Sequence, residues 1–238
     1  MASELLNIGT SALLSYQRAL DTTGHNIANV NTPGYSRQQV QLSARMPQGT
    51  ADGFLGTGVD VSTILRSYDQ FATGDLRTTT ASSGELDTLS SLAGALDNLL
   101  SDQNSGLSPA LGSFFDAVQG AANDPTSLAA RQVMLSEGDS LAQRFQVLDQ
   151  WMQDDRNSLA AQMQSEVQDV NQLAGSIADL NRQIIEASSR SNGQPPNDLL
   201  DQRDQLVLQL SGKVAVTTVP QADGSLNVFI GKGQSLVL

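Results

Sequence analysis

The chain has 238 residues, 13 basic and 25 acidic, with a formal charge of -12 at pH 7. Only two of the cations are lysines, Lys213 and Lys232, so there is no basic stripe for nucleic-acid phosphates or anionic lipids. With no cysteine and a single histidine, His25, disulfides, thiolate zinc sites, cysteine nucleophiles and sites needing two imidazoles are excluded. Ser (27), Gln (24), Thr (15) and Asn (13) together outnumber the charged residues about two to one, which predicts a polar but largely uncharged surface.

Residues 3–29 read as one helix, because Leu6, Leu13, Leu20 and Ile27 recur every seven positions, flanked by Leu5, Ile8, Ala12, Tyr16, Ala19 and Val30. Its first turns hold Glu4 and no basic run, so neither a cleavable signal nor a membrane span is read there. The helix should stop at Asn29-Val30-Asn31-Thr32-Pro33-Gly34, where Pro33 disfavours helix at Thr32 and Gly34 allows a turn. Two extended segments follow, Tyr35–Leu42 and Val59–Thr63, joined by a flexible Gly-rich loop containing Gly53, Gly56 and Gly58.

From Asp69 to Leu100 the pattern is again helical, ended by a turn at Asn104-Ser105-Gly106. A shorter helix capped at Ser108-Pro109 runs to Asn123. The longest stretch, Thr126 to about Ser189, starts with Pro125 as its expected first helical residue. Its seam of Leu141, Phe145, Leu148, Met152, Leu159, Met163, Val167, Val170, Leu173, Ile177, Leu180 and Ile184 predicts the core of an intramolecular bundle. Asp154-Asp155-Arg156 predicts one interruption between Glu137 and Asn157. Asn197 or Asp198 should cap a last helix to about Leu210. After Gly212 the period becomes 2, giving a hairpin and a third strand near Ser235. Two or three strands are marginal alone, so this sequence is expected to be an amino-terminal portion of a longer protein.

Little in this order of residues carries chemistry. Asp21 and His25 at i and i+4 read as a solvated helix pair. Asp198, Asp201 and Asp204 form a conceivable hard-cation patch, but Arg203 among them favours an ordinary charged face. The segments Gly53–Gly58 and Gly231–Ser235 lack the dinucleotide and P-loop frames. No enzyme and no cofactor or metal site is read.

The first helix and its terminator do carry a signature. Ala12-Leu13, Gln17, Leu20, Asn26-Ile27-Ala28-Asn29 and Asn31-Thr32-Pro33-Gly34-Tyr35-Ser36-Arg37-Gln38 closely resemble the amino-terminal motif of the bacterial flagellar axial proteins of rod, hook and hook-associated type. Three further runs narrow the resemblance to the hook-associated family of the hook–filament junction. These are Gly58-Val59-Asp60-Val61 with Arg66-Ser67-Tyr68-Asp69, Asp124-Pro125 with Ala129-Ala130-Arg131-Gln132, and Asn197-Asp198-Leu199-Leu200-Asp201-Gln202-Arg203-Asp204-Gln205-Leu206. The resemblance covers nearly the whole chain, through Gly233–Val237.

What the resemblance implies is a mainly α, elongated, coiled-coil-like helical bundle with a terminal helix and the start of a β domain. The expected divisions are 1–30, a helix of the inner tube; 31–68, a connecting loop; 69–212, the bundle; and 213–238, a truncated β-rich domain. The implied role is a structural adaptor of the extracellular flagellum, exported without a cleavable signal through the flagellar type III apparatus, with or without a chaperone. Implied partners are hook subunits, the next hook-associated junction protein and copies of itself in a ring. Leu6, Leu13, Gln17, Leu20 and Ile27 would form the assembly face; because its partner helix lies outside this sequence, that helix is expected to be frayed, mispaired or marginally ordered. Asn26, Asn29, Asn31, Pro33, Gly34, Tyr35 and Arg37 would form the inter-domain turn. The alternatives are another axial subunit, a secreted coiled-coil adhesin binding through the hairpin after Gly212, and a hydrolase using Asp201 and Asp204.

Overall fold

A computed structural model of the chain describes residues 2–51, 53–101 and 106–238, with the backbone alone at 2–3 and 98–101. Helix α1 spans Ala2–Ala28 without a break. It ends as the sequence predicts: Asn29 N donates to His25 O and Thr32 N to Asn29 O, and Gly34 takes φ +80°. The chain then forms β1 (Gln38–Ala44), β2 (Gln48–Thr50), β3 (Gly53–Leu55) and β4 (Val59–Arg66). Strands β1 and β4 pair antiparallel with a register shift between Gln41 and Leu42. The loop expected to be flexible is instead a second hairpin, β2–β3. Thr50 Oγ1 donates to Gly53 O (2.8 Å) and Thr57 Oγ1 to Met46 O (2.7 Å), and three-residue strands are too short for alternation to reveal them.

The leucines of α1 do not dock it. Its buried residues are Ser11, Ser15 and Thr22, and this small polar face lies on the β1–β4 pair. Ser11 Oγ accepts from Val59 N (3.3 Å) and Ser15 Oγ donates to Val59 O (3.5 Å). Gly58, at φ +110°, approaches so closely that a Cβ there would fall 2.3 Å from Ser11 Oγ, so the position requires glycine for both conformation and space. The expected flank of the leucine seam therefore splits: Ile8, Ala12 and Ala19 turn inward to half-burial, while Leu5, Tyr16 and Val30 stay exposed.

Helix α2 (Gln70–Ser101) is capped by Asp69, whose Oδ1 accepts from Phe71 N (2.9 Å) and Ala72 N (3.1 Å). Of the turn expected at 104–106, the first two positions lie outside the described residues. Helix α3 (Leu107–Asn123) starts after an extended Gly106 rather than at Ser108, with Pro109 inside the first turn, where its missing N–H costs nothing. Helix α4 (Leu128–Arg190) begins later than expected, because Asp124-Pro125-Thr126 is a turn and Ser127 Oγ accepts from Ala130 N (3.3 Å). It also runs 63 residues without the expected interruption. Asp154 is exposed and accepts from Gln150 Nε2 (3.0 Å), and Asp155 is only half-buried between Trp151 and Leu159, so neither charge is forced out of water.

Helix α5 (Asn197–Ser211) has Pro196 at its cap and no side-chain cap, correcting the expectation for Asn197 or Asp198. Strands β5 (Val216–Pro220), β6 (Leu226–Ile230) and β7 (Gln234–Val237) follow as an antiparallel sheet in that order. The chain is thus mainly helical with a small antiparallel sheet at its C-terminal end. It divides into two compact units, one up to Ser82 together with Val170 onward, the other Ser83–Asp169, with both divisions inside helices α2 and α4.

In the first unit the buried apolar residues are Ala174, Ile177, Leu180 and Ile184 of α4, Val207 and Leu210 of α5, Leu226 and Val228 of β6, and Val237 of β7. Each large one contributes about 1.5–3 kcal/mol of transfer free energy. The predicted seam of α4 is core only over this last part, since Phe145, Met152, Met163 and Val167 are exposed. Among the described residues no helix is long and apolar enough to cross a membrane.

Candidate functional site

The predicted site residues fall into two places. The first is the outer face of α1, where Leu6 (70%), Leu13 (73%), Leu20 (71%) and Ile27 (69%) stay exposed and Gln17 with them. At 100° per residue these positions lie roughly opposite Ser11, Ser15 and Thr22. The chain thus covers the polar side of its first helix and leaves the apolar side open. The second place is the connector between α1 and β1, which is clamped onto α5.

Asn26 organises the connector. Its Oδ1 accepts from Tyr35 Oη (2.7 Å) and Gln38 N (2.8 Å), and its Nδ2 donates to Gln38 O (2.8 Å). One amide side chain thus reproduces a strand partner for Gln38. Asn29 closes the turn, its Nδ2 donating to His25 O (3.0 Å) and its Oδ1 accepting from Thr32 Oγ1 (3.2 Å). The Tyr35 ring stands edge-on to His25, with centroids 5.5 Å apart. Burial, reinforced by the charges of Asp198 and Asp201, pushes the Tyr35 phenol pKa up. A Cβ on Gly34 would fall 2.7 Å from Gln205 Oε1. Asn31 and Pro33 are exposed; Arg37 is exposed too, and its carbonyl accepts from Ser67 N (2.8 Å).

The acidic run of α5 receives this connector. Asp198 Oδ1 accepts from Gln38 Nε2 (2.7 Å) and faces His25 Nε2 (3.3 Å), so the histidine pairs with Asp198 and not with Asp21. Asp201 is 5% exposed; Oδ2 accepts from Ser36 N and Oδ1 from Arg66 Nη1, both at 2.7 Å. Asp204 Oδ2 also lies 2.7 Å from Arg66 Nη1, as an ion pair without hydrogen-bond alignment. Its Oδ1 accepts from Arg77 Nη2 (3.1 Å), and Arg77 Nη1 donates to Thr218 Oγ1 (3.0 Å). Asn197 Nδ2 donates to Ile64 O (2.7 Å). Burial opposes the Arg66 charge, but Asp204 and Asp201 outweigh it and raise the guanidinium pKa.

This arrangement corrects the reading of Asp198, Asp201 and Asp204 as an ordinary charged face. Residues three apart drift about 60° round a helix, so the three carboxylates step from the solvent-facing connector to the buried side chain of Arg66. No metal-ligand cluster occurs among the described residues. Arg203, taken as a sign of solvation, is buried on another side. Its Nη1 donates to Asn181 Oδ1 (3.1 Å) and Gly224 O (2.7 Å), and burial lowers its pKa. Asn181 in turn pairs with both backbone groups of Leu226, at 3.0 and 2.9 Å.

Arg66, Arg77, Gln38, Asn181 and Gln205 received no site role from the sequence, although Gln38, Arg66 and Gln205 stand in the runs that carry the family resemblance. The available signal was cationic scarcity: Arg66 and Arg77 stand in helix- or strand-compatible stretches of a strongly acidic chain, where a cation has an incentive to pair.

The comparisons extend these observations. Residues 93–238 match the family model described as the flagellar hook-associated protein FlgK helical domain, and residues 6–35 match that of the flagella basal body rod protein. Flagellar hook-associated protein 1 of Salmonella typhimurium is 38% identical over 235 residues, covering 99% of this chain and 42% of the relative. That of Bacillus subtilis is 34% identical over 227 residues, covering 91% and 44%. The solved flagellar hook junction protein FlgK of Burkholderia pseudomallei superposes with a TM-score of 0.61 at 33% identity, over 69% of this chain and 29% of that one. The chain spans about two fifths of the length of these curated relatives. It belongs to the FlgK family of flagellar hook-associated protein 1.

Proposed function

We propose that the chain is the amino-terminal part of a structural adaptor joining the flagellar hook to the filament. The observation that carries this reading is the exposed seam of Leu6, Leu13, Leu20 and Ile27 on a helix whose opposite face is already covered. Such a stripe yields its transfer free energy only when an assembly partner arrives. The partners in this reading are hook subunits, the next hook-associated junction protein and copies of the chain itself, arranged in a ring outside the cell. Export through the flagellar type III apparatus, with or without a chaperone, belongs to the same reading. The reading is of a non-enzymatic chain, since both Asp201 and Asp204 are engaged by arginines rather than poised for a substrate.

A rod or hook subunit is less well supported, because the rod-type match stops at residue 35 while the hook-associated helical domain matches 93–238. The test is deletion of the chromosomal gene. Hooks that persist without filaments, with flagellin released to the medium, are the expected outcome. Normal filaments would overturn the junction role.

A further inference from the structure

We propose that the Asp201–Arg66 network is a releasable latch, by which residues 2–66 dock on α5 as one body and from which they swing about the link at Tyr68–Asp69. This inference concerns the joint itself and stands whether or not the junction role holds.

Four observations carry it. Among the described residues, none of the buried apolar residues of this unit, and none of the partly buried apolar residues packed against their cluster, comes from α1, β1 or β4. The module is internally tied instead, through Ser11, Ser15 and Gly58 between α1 and β4 and the full β1–β4 register. Its attachments to the core are polar and directional: Ser36 N and Arg66 Nη1 on Asp201, Arg66 on Asp204, Gln38 and His25 on Asp198, Ile64 O on Asn197 and Ser62 O on Gln194. Beneath the connector lies an open cavity of about 450 Å³, with Pro33 and Tyr35 on one side and Leu180 and Leu206 on the other. Solvent therefore reaches between the connector and α5 where an apolar interface would be packed.

The chemistry of these contacts makes the joint two-state. A buried carboxylate is either engaged by its donors or must be rehydrated. The module is covalently tied to the core only through the segment after β4. The far side of that hinge stays in place because Arg77 of α2 holds Asp204 and Thr218. Release of Asp201 from Ser36 and Arg66 removes the buried anchor of the joint and leaves the α4–α5–sheet core its own contacts, while the contacts of Gln38 and His25 to Asp198, Arg66 to Asp204, Ile64 to Asn197 and Ser62 to Gln194 remain as looser restraints on residues 2–66.

The absence of cysteine allows clean labelling. Spin labels at Gln41→Cys on β1 and Gln209→Cys on α5, both exposed, report the angle of the joint by pulsed electron resonance. The parent pair should give one narrow distance. Asp201→Asn and Arg66→Gln should each add a longer, broader population while the amides of β6 keep their exchange protection. An unchanged distribution in both variants would overturn the latch, as would loss of β6 protection together with release. Wild-type native-state hydrogen exchange decides the matter even where a variant fails to fold. The Ser36 amide, whose acceptor is Asp201 itself, should exchange roughly tenfold or more faster than those of Val228 and Phe229, through an opening that exposes less surface. Coincident exchange of Ser36 with Val228 and Phe229 would show a single cooperative unit and sink the proposal.

Discussion

Gly34 shows how much of the connector is fixed by one residue. Its φ of +80° disfavours any side chain, and the nearest obstacle to a Cβ is the flexible end of Gln205. Gly34→Ala should therefore destabilise the chain by about 1–2 kcal/mol. Adding Gln205→Ala should recover only the steric part, because backbone strain remains; a double-mutant cycle in urea separates the two. Asn181 is a stronger case, since its side chain satisfies Leu226 N, Leu226 O and Arg203 at 5% exposure. Asn181→Ala leaves buried donors and an acceptor unpaired and should cost about 2–4 kcal/mol, read as a fall in the urea midpoint with an unchanged slope. Neither residue's partner was legible in the sequence. Spacing within one element says which side chains share a face, but Asp201 meets Arg66 across 135 positions, and only the fold brings them together. The turn itself was legible, because Asn29, Pro33 and Gly34 act through local backbone chemistry.

At the scale of the element, period detects a stripe but not which stripe is used. The heptad of Leu6, Leu13, Leu20 and Ile27 correctly predicts α1, yet the chain docks the helix by Ser11, Ser15 and Thr22. A substitution test follows from this inversion. Replacing the four apolar residues with Gln should change stability by only a few tenths of a kcal/mol each, since they are already solvated, while failing to restore motility in a deletion strain. Ser15→Leu should do the opposite to stability, costing about 1–3 kcal/mol by overpacking against β4, visible as lost exchange protection in β1 and β4. Equal destabilisation by both kinds of change would mean that the outer seam is covered within the chain. The β2–β3 hairpin and the continuity of α4 were not legible, for related reasons. Three-residue strands carry no period, and charges at Asp154 and Asp155 break a buried seam only where the seam is buried.

Across the whole molecule, burial is unevenly shared between the two units. Every buried apolar side chain described belongs to residues 174–237. Among the described residues of Ser83–Asp169, the α4 face of Met134, Leu141, Leu148, Trp151 and Leu159 reaches only half-burial, and α3 contains no buried residue. Half-buried helices gain less transfer free energy per residue ordered, while the entropy cost of ordering them is undiminished. The second unit should therefore open first. Calorimetry of the chain should show two transitions rather than one, with a van't Hoff enthalpy below the calorimetric value. Hydrogen exchange should assign the earlier transition to α3 and to α4 before Val170, and the later one to Ile177, Val207 and Val228. The continuity of α4 through both units sharpens the test, because its amides should divide near Val170 into a weakly and a strongly protected set although the helix itself has no break. Uniform protection along all of α4, with a single calorimetric transition, would show instead that stability passes from the core along the helix. The half-buried face would then be held by cooperativity and not by its own packing.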